Sequence, residues 1–436
     1  MQICFKAILT AVIVLSAVFA NPHDAMAQAD DAHLVYRMER GDTLTSVARR
    51  FLAAPNAIRA VARINRVRND RRIPIGYALR LPRDLLAFRP ADLRVRHFSG
   101  QVSVGGAAPQ LGAIVTEGTE IRTGASGFLT LQDAGGATFA LPSQSRARLE
   151  KARIYRLRDI RDVEFRILGG RGRVEVPPLR EGERFRTSTP VAVTAVRGTI
   201  YRVAYDEPSG LGITEVVEGS VSVEQPNDTQ LTEEGFGVVA AAQGVGEPEP
   251  MLPPVDIEDP GAIQTAETVA FFLNLPDSAV GARTQIATDA GFLEIVAEDI
   301  GGDNLAEFTQ MPDARYFVRA RAISRTGIEG LSETFSFRRK RLGASASVEP
   351  SPLGDGYRFA WLPQGDGITH FAFQLWREGE VGQPLYDEIA LPGTATVVSG
   401  LDVGTYVWRV AAIQADAEDG LLKVWGPEQT LTVAPE

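Results

Sequence analysis

Between residues 95 and 242, apolar residues recur at every second position, in short runs separated by turn residues. In GFLTLQDAGGATFALP (residues 127–142), Leu129 and Leu131 alternate with polar residues, a turn follows, and the alternation then resumes. Because successive side chains of a strand point to opposite faces, this period of two is typical of half-buried strands. The pattern predicts a β-hairpin or two successive rungs here, and an all-β domain over residues 95–242. The same alternation occurs at residues 171–176 and 214–224.

A secretory signal is predicted at the start of the chain. An apolar run extends from Ala7 to Ala20, and the Ala-Met-Ala triplet that ends at Ala27 has the small-x-small pattern of a cleavage site. This run of about 14 residues is short for a membrane-spanning helix, which needs about 20. Residues 1–27 are therefore predicted to be a cleaved signal peptide. No later apolar run has spanning length, so we expect a periplasmic chain without a transmembrane segment.

The only cysteine, Cys4, precedes this apolar run and would leave with the signal peptide. The mature chain would then contain no thiol, which excludes disulfides, cysteine metal sites and a cysteine nucleophile. The 436 residues exceed the size at which a single core keeps growing. Several domains, each stabilised by an ordinary hydrophobic core, are therefore expected.

Charge is distributed unevenly along the chain. Residues 34–84 contain 12 Arg and 4 Asp or Glu residues, a formal charge of +8. Residues 244–436 contain 13 basic and 29 acidic residues, a formal charge of −16. A cationic N-terminal segment suits an anionic wall polymer, a membrane surface or nucleic acid, and export makes nucleic acid the least suitable of these. The alternative is that arginine is the preferred surface cation of this chain, in which lysine is rare.

The N-terminal segment combines strand and helix patterns. Apolar residues spaced i, i+3, i+4 and i+7 predict an amphipathic helix over residues 43–51, with Asp42 or Thr43 as its cap. A second helix ended by Asn65, and a short strand over residues 78–81, follow. The predicted order is strand, helix, helix, strand.

This order, with GDTL at residues 41–44 and PIGYALRLP at residues 74–82, resembles a lysin-motif (LysM) domain over residues 33–84. In that family, a shallow groove between two loops binds glycans that contain N-acetylglucosamine, such as peptidoglycan. Backbone groups bond the acetamido group, and an apolar floor takes its methyl. Carried over here, the resemblance implies a groove lined by Gly41, Asp42, Thr43, Leu44, Ile73, Ile75 and Gly76.

Each of these residues also has a structural explanation. Gly41 suits the turn, Asp42 suits the helix cap and Leu44 suits the core. The Arg-rich loop over residues 66–72 departs from the usual short, uncharged form of the family. Because of this departure, the resemblance does not determine the shape of the groove.

The segment TSTPVAVTAVRGTIYRV (residues 187–203), with VVEGSVSV and EEGFGVV after it, resembles a FecR-like domain. The best-known members of that family span the envelope and relay the state of a transporter to a sigma factor. Without a transmembrane segment, the resemblance implies an envelope interaction module over residues 95–242, and not the relay. Within it, Arg197 is expected to project from its strand, and Gly198 to permit a bulge or a close backbone approach.

Residues 243–262 are rich in proline and acidic residues, and we interpret them as a linker. A weak repeat follows, in which an aromatic-led alternating strand at Tyr316, and again at Tyr406, precedes a glycine-containing turn and a final strand. The repeat is similar to fibronectin type III-like sandwiches, with Trp361 in the core of the second. Such domains usually act as spacers or binding surfaces. The resemblance places the two sandwiches at residues 263–341 and 342–436.

The sequence contains no recognisable catalytic constellation. The histidines after the predicted signal, His33, His97 and His370, lie in different segments without metal-ligand spacing. Neighbouring acids such as Asp387 and Glu388 point to opposite faces of a strand, and no nucleotide-binding or hydrolase motif occurs. A pair of acids from distant segments could still form a hydrolase site, but we expect no enzyme, no cofactor and no metal.

The sequence thus predicts a multidomain, mainly β protein: a small α+β (βααβ) LysM-like module, a β-rich FecR-like domain and two β-sandwiches. Two functional hypotheses remain. In the first, a non-enzymatic cell-envelope protein binds peptidoglycan, or another N-acetylglucosamine-containing glycan, through the LysM-like module and presents its β domains to an envelope protein. In the second, a periplasmic signalling or assembly component is centred on the FecR-like domain, and the LysM-like module is a protein contact. Neither has a nucleic-acid partner.

Overall fold

The structure, a computed structural model, describes residues 32–70, 72–352, 354, 356–380 and 383–435. The predicted signal peptide at residues 1–27 lies outside the described residues. The described chain is multidomain and mainly β, with a small α+β module at its N-terminal end, as predicted. It divides into two compact units. Unit 1 contains residues 32–89 and 153–161, and unit 2 contains residues 90–152 and 162–435.

Unit 1 has the predicted order of strand, helix, helix and strand. Its elements are β1 (His33–Arg37), α1 (Leu44–Phe51), a 3₁₀ turn (Pro55–Ala57), α2 (Ile58–Ile64), β2 (Ala78–Pro82) and a second 3₁₀ turn (Arg83–Leu85). Thr43, one of the two predicted caps, begins α1: its Oγ1 accepts from the Ser46 N–H at 3.1 Å, and the Ser46 Oγ accepts from the Thr43 N–H at 2.9 Å. This reciprocal capping box satisfies donors that the first helical turn leaves free.

Asn65 ends α2, as predicted, and also joins this helix to β2. Its side-chain amide donates to the backbone carbonyls of Val61, at 2.9 Å, and Arg80, at 2.7 Å, while its Oδ1 accepts from the Arg80 N–H at 2.7 Å. The side chain is buried, so these bonds satisfy polar groups that water cannot reach.

The core of unit 1 receives residues from a distant part of the chain. Helix α1 contributes Leu44, Val47 and Ala48, which share one face as the period predicts. Three further buried residues, Tyr155, Leu157 and Ile160, come from residues 153–161, about 70 positions beyond the predicted end of the module. The hydrophobic core of the α+β module is therefore completed by the tip of a hairpin that the sequence assigned to the next domain.

Eighteen strands of the following segment belong to one hydrogen-bonded set. They are β3 (Phe88–Pro90), β4 (Leu93–Ser99), β5 (Val102–Val104), β6 (Ile114–Val115), β7 (Glu120–Thr123), β8 (Phe128–Asp133), β9 (Thr138–Leu141), β10 (Arg146–Tyr155), β11 (Ile160–Val176), β12 (Arg184–Ser188), β13 (Val193–Val196), β14 (Thr199–Asp206), β15 (Leu211–Glu218), β16 (Ser220–Gln225), β17 (Asp228–Glu233), β18 (Phe236–Ala241), β19 (Gly244–Val245) and β20 (Glu249–Pro250).

The alternation in residues 127–142 forms a β-hairpin, one of the two predicted outcomes. Strands β8 and β9 pair antiparallel, with Leu129 opposite Leu141. At residues 214–224 the alternation is divided by Gly219, whose φ of +85° favours glycine. As a result, β15 pairs with β14 and β18, whereas β16 pairs with β13 and β17.

The segment interpreted as a linker is ordered along most of its length. Strands β19 and β20 both pair with β18. Further on, the buried side chains of Val255 and Ile257 belong to the core of the first sandwich. Apolar residues between the prolines and acids of this segment therefore pack onto the domains on either side of it.

Two β-sandwiches follow. The first contains β21 (Asp256–Ile257), β22 (Val269–Asn274), β23 (Ala279–Ala287), β24 (Ile295–Gly301), β25 (Leu305–Phe308), β26 (Ala314–Ser324) and β27 (Phe335–Arg339), in sheets ordered β21-β22-β25 and β24-β23-β26-β27. The second contains β28 (Gly343–Pro350), β29 (Tyr357–Gln364), β30 (His370–Arg377), β31 (Tyr386–Leu391), β32 (Ala395–Val398), β33 (Gly404–Asp416), β34 (Gly420–Trp425) and β35 (Gln429–Val433). Its sheets are β28-β29-β32 and β31-β30-β33-β34, and β35 also pairs with β33.

The cores of both sandwiches follow the predicted alternation. In β26 the buried positions include Tyr316 and Val318, and in β33 they include Tyr406 and Trp408. Trp361 is 2 % exposed and packs against Phe371 and Phe373, which confirms the prediction that it is a core residue.

Candidate functional site

The two loops that the LysM resemblance selects lie side by side. Strands β1 and β2 pair antiparallel from His33 opposite Pro82 to Arg37 opposite Ala78. Met38 extends this ladder, because its N–H donates to the Tyr77 carbonyl at 3.0 Å and its carbonyl accepts from the Gly76 N–H at 2.7 Å. The loop at residues 39–42 and the loop at residues 74–77, here called the paired loops, therefore meet at one end of this two-stranded sheet.

The carboxylate of Asp42 is used to fix the first loop. It accepts hydrogen bonds from the Tyr36 hydroxyl at 2.6 Å and from the Glu39 N–H at 2.9 Å, and it forms an ion pair with Arg50. Burial raises the pKa of Asp42, but the bonds from Tyr36 and Glu39 and the charge of Arg50 outweigh it and hold this pKa below its ordinary value. The side chain is 8 % exposed, so its first role is to hold the turn.

Thr43 and Leu44 also serve the fold through their side chains. The Thr43 hydroxyl caps α1, and the Leu44 side chain is buried in the core. Gly41 differs, because its φ is +88° and, apart from its two chain neighbours, no residue has an atom within 4 Å of the position that a Cβ would take. Gly76, in the second loop, has a φ of +81° and the same open space. The backbone of the paired loops is thus accessible at these two glycines.

Isoleucine side chains supply the apolar surface of the second loop. Ile75 is 70 % exposed, whereas Ile73 is half-buried and packs against the core of unit 1. A single exposed apolar residue is ordinary on a protein surface. Here, however, Ile75 adjoins Gly76, so an apolar group lies beside backbone that no side chain covers.

The surface of unit 1 is strongly cationic. Arg50 of α1 lies over the rings of Tyr36, at 5.5 Å, and Phe51, at 5.1 Å. These cation–π contacts, together with the ion pair to Asp42, hold the guanidinium beside the first loop. The exposed arginines of the unit further include Arg37, Arg40, Arg49, Arg59, Arg63, Arg66, Arg68, Arg72 and Arg80.

A second polar cluster, which the sequence did not indicate, lies within unit 2 between the FecR-like strands and the first sandwich. Glu215 of β15 accepts from Arg171 at 2.8 Å and also pairs with Arg202. Glu329 lies between β26 and β27 and pairs with Arg283 at 2.6 Å and with Arg321 at 2.9 Å. The only sequence signal for this cluster was the alternation of Arg and Ala in residues 319–322. The same alternation is equally compatible with a strand whose charged face lies in water.

In the part of the chain that the structure describes, no helix has the length and apolar character needed to cross a membrane. Within the same residues, no group of three or more His, Cys, Asp or Glu side chains is arranged to hold a metal ion.

Residues 119–222 match the model of the FecR protein family. This segment extends from the end of the turn before β7 into β16. No curated protein matches the chain.

The solved structures that are similar to parts of the chain include a bacterial protein and two chicken fibronectin type III segments. A protein assigned as an anti-sigma factor from Parabacteroides distasonis ATCC 8503 is 20 % identical, with a TM-score of 0.26, and the match covers 30 % of this chain and 59 % of that one. The FN1–FN3 domains of chicken CNTN1 are 13 % identical, with a TM-score of 0.23, and the match covers 61 % and 97 % of the two chains. A two-domain fibronectin type III segment of chicken tenascin is 10 % identical, with a TM-score of 0.21 and coverage of 42 % and 98 %. None of these likenesses carries a function over to this chain.

Proposed function

We propose that this chain is a cell-envelope protein that binds an N-acetylglucosamine-containing glycan, such as peptidoglycan, at the paired loops of unit 1 and presents unit 2 to a protein partner. The observation that carries the glycan part is the juxtaposition of open backbone at Gly41 and Gly76 with the exposed side chain of Ile75. The FecR family match at residues 119–222 supports a role in the envelope.

The chemistry of the acetamido group fits this juxtaposition. The group has one N–H donor, one carbonyl acceptor and one methyl, so it is recognised by backbone groups of opposite polarity beside an apolar side chain. Glycine at positions 41 and 76 keeps the backbone free of side chains that would hold the sugar away. Asp42, through Tyr36 and Arg50, holds the first loop in place before a ligand arrives, which lowers the entropy cost of binding.

The arginines of unit 1 would add an attraction that does not depend on the groove. A wall polymer with carboxylate or phosphate groups would be drawn to this surface, and exposed charges are screened over about 8 Å at physiological salt. Groove recognition should resist salt, whereas attraction by charge alone should not.

The experiment is co-sedimentation of residues 28–436 with purified peptidoglycan, at low and at physiological salt. The whole chain is used because residues 153–161 complete the core of unit 1. We expect the protein to sediment at both salt concentrations, and chitin-type oligomers to release it. Protein that stays in the supernatant at both concentrations would refute glycan binding, and sedimentation that physiological salt abolishes would assign binding to charge alone.

A pair of substitutions tests the groove itself. If the sugar covers roughly 40 Å² of the Ile75 side chain, the contact contributes about 1 kcal/mol. Ile75→Ser should then weaken the apparent affinity about 5-fold. Leu362→Ser is the matched control, because Leu362 is 69 % exposed and lies on β29 of the second sandwich, outside unit 1. Equal affinity of both variants and the unsubstituted chain would place the glycan site elsewhere.

One observation favours the second hypothesis, in which unit 1 is a protein contact of a signalling or assembly component. Tyr155, Leu157 and Ile160 belong to the core of unit 1, although they follow strands that the sequence assigns to the FecR-like domain. Crosslinking in intact cells distinguishes the two. An envelope protein captured through unit 1, by a chain that does not sediment with peptidoglycan, would favour the protein contact.

A further inference from the structure

Within unit 2, the FecR-like strands and the first sandwich share a well-packed interface. Phe128 of β8 packs with Phe292 and Ile295 of the sandwich. The Ser99 hydroxyl donates to the Ile295 carbonyl at 2.8 Å, and the Thr130 hydroxyl donates to the Leu293 carbonyl at 2.6 Å. This interface therefore has the apolar contacts and satisfied hydrogen bonds of a built structure.

Beside these contacts lies a cavity of about 20 Å³ whose lining is unusually rich in arginine. Glu329 is the one carboxylate in that lining. Glu215 and Glu298 pair with arginines at the edge, and Glu175 acts electrostatically on Arg173 from the same strand. Even with all four carboxylates counted, positive charge is in excess. The arginines that line the cavity are Arg171, Arg173, Arg202, Arg283, Arg319 and Arg321.

The excess is concentrated on β26 of the first sandwich. Arg319 and Arg321 are both buried, and both donate to one neutral acceptor, the Oε1 of Gln285. Arg319 also stacks on the ring of Phe292, with 3.9 Å between its Cζ and the ring centroid. The Nε of Arg321, whose residue is 3 % exposed, has no hydrogen-bond partner among the described residues. Arg321 also pairs with Glu329 at 2.9 Å, but the amide oxygen that Arg319 bonds cannot neutralise a guanidinium group.

Burial, together with the charges of Arg321, Arg173 and Arg202, holds the pKa of Arg319 well below its ordinary value. Burial likewise lowers the pKa of Arg321, to about 9, because the neighbouring arginines add to this effect and Glu329 opposes it only in part. A guanidinium nevertheless keeps its proton in proteins. A buried group of this kind is stabilised by a counter-charge, because an uncompensated buried ion is costly.

We propose that this cavity binds a small inorganic anion, chloride, which neutralises the excess arginines and fastens the first sandwich to the FecR-like strands. The volume favours a monatomic ion, because a cavity of this kind needs roughly 10–15 Å³ to hold one water molecule, and a phosphate or a nucleotide is several times larger. The cavity is lined from both sides of the interface, by Arg171 and Arg202 of the FecR-like strands and by Arg283, Arg319 and Arg321 of the sandwich. Anion binding therefore links the stability of the two domains.

The test is thermal unfolding of residues 28–436 in sodium chloride and in sodium gluconate at equal ionic strength. We expect the unfolding temperature of unit 2 to rise with chloride concentration until it saturates, and gluconate to have no comparable effect because it is too large for the cavity. An equal rise of the unfolding temperature in both salts would show that the effect is charge screening, and it would overturn the proposal.

Two substitutions on the same strand locate the effect. Arg319→Met removes one of the excess charges, so the chloride-dependent rise should fall to a small fraction of that in the unsubstituted chain. Arg315→Met is the matched control, because Arg315 lies on the same strand but is exposed. Arg315→Met should keep the full rise. A chloride effect that persists in Arg319→Met would place the ion elsewhere.

A measurement on the unsubstituted chain covers the possibility that Arg319→Met does not fold. Crystals of residues 28–436 soaked in sodium bromide, collected at the bromine absorption edge, should show an anomalous peak inside the arginine-lined cavity, beside the Nε of Arg321. The lack of a peak there at saturating bromide would overturn the proposal.

Discussion

Leu157 offers the sharpest test of how unit 1 is stabilised. It is 2 % exposed and belongs to the core of the unit, together with Tyr155 and Ile160. Replacing a buried leucine by alanine costs about 2–5 kcal/mol, because apolar contacts are lost and a cavity remains. A unit of this size has a free energy of unfolding of about 3–10 kcal/mol. Leu157→Ala should therefore remove a large part of the stability of a module whose predicted boundary lies about 70 residues earlier.

Hydrogen exchange of the backbone amides in residues 33–86 measures this effect directly. A loss of about 2–5 kcal/mol corresponds to exchange that is roughly 30-fold to several thousand-fold faster for amides that open with the unit. We expect this acceleration in β1, α1, α2 and β2 together, because the buried side chains of these elements share one core.

Leu131→Ala is the matched control for Leu157→Ala. Leu131 is equally well buried, but it lies on β8 of unit 2. It should accelerate exchange in unit 2 and leave residues 33–86 unchanged, since distant, independent sites behave additively. If Leu157→Ala leaves the exchange of residues 33–86 unchanged, the hairpin tip does not stabilise the module and the reasoning is wrong.

Three further predictions concern single residues. Trp361→Ala should lower the free energy of unfolding by about 3–5 kcal/mol in chemical denaturation, because the ring is buried and its Nε1 donates to the Gly393 carbonyl at 3.0 Å. An unchanged denaturation midpoint would contradict this expectation. Gly198→Val should cost about 1–3 kcal/mol, since φ is +131° and an added Cβ would lie 2.8 Å from the Pro178 Cα; the same denaturation curves would show it. Because the folded-state pKa of Asp42 is lowered, its stabilising contribution is complete above about pH 4 and is lost as the pH falls through that lowered pKa. Asp42→Asn should therefore destabilise unit 1 at pH 7 and reduce its acid sensitivity, and an acid unfolding profile that keeps the original pH dependence would show that another group controls it.

Local patterns predicted the elements whose residues are close in sequence. The helical period of residues 43–51 and the cap at Thr43 agree with α1, and the alternation at Tyr316 and Tyr406 agrees with two core strands. Gly198 also has the close backbone approach that its place in a β-branched run predicted, with Pro178 as the neighbour. In each case, the local chain chemistry and the tertiary contacts favour the same conformation.

Contacts between distant segments could not be predicted in this way. The alternating Tyr155 and Leu157 at a hairpin tip would be equally compatible with a partly exposed turn, and only the fold shows which surface covers them. The surface that covers Arg319 and Arg321 could not be predicted from the sequence either. A strand that alternates arginine with alanine normally has its charged face in water, but this face is buried against β11 and β14 through Gln285, Glu329 and their partners. Periodicity indicates which side chains share a face, and it does not indicate what the face contacts.

The composition of unit 1 also decides how glycan binding should be tested. A fragment that ends at residue 84, the predicted boundary of the module, lacks Tyr155, Leu157 and Ile160 and would expose the apolar surface that they cover. Such a fragment could lose peptidoglycan because it unfolds, and this result would be indistinguishable from the lack of a groove. Ile75→Ser in the whole chain avoids the ambiguity, because the Ile75 side chain is 70 % exposed and contributes little to the core. Weaker sedimentation of that variant, with the hydrogen exchange of residues 33–86 unchanged, would report recognition separately from folding.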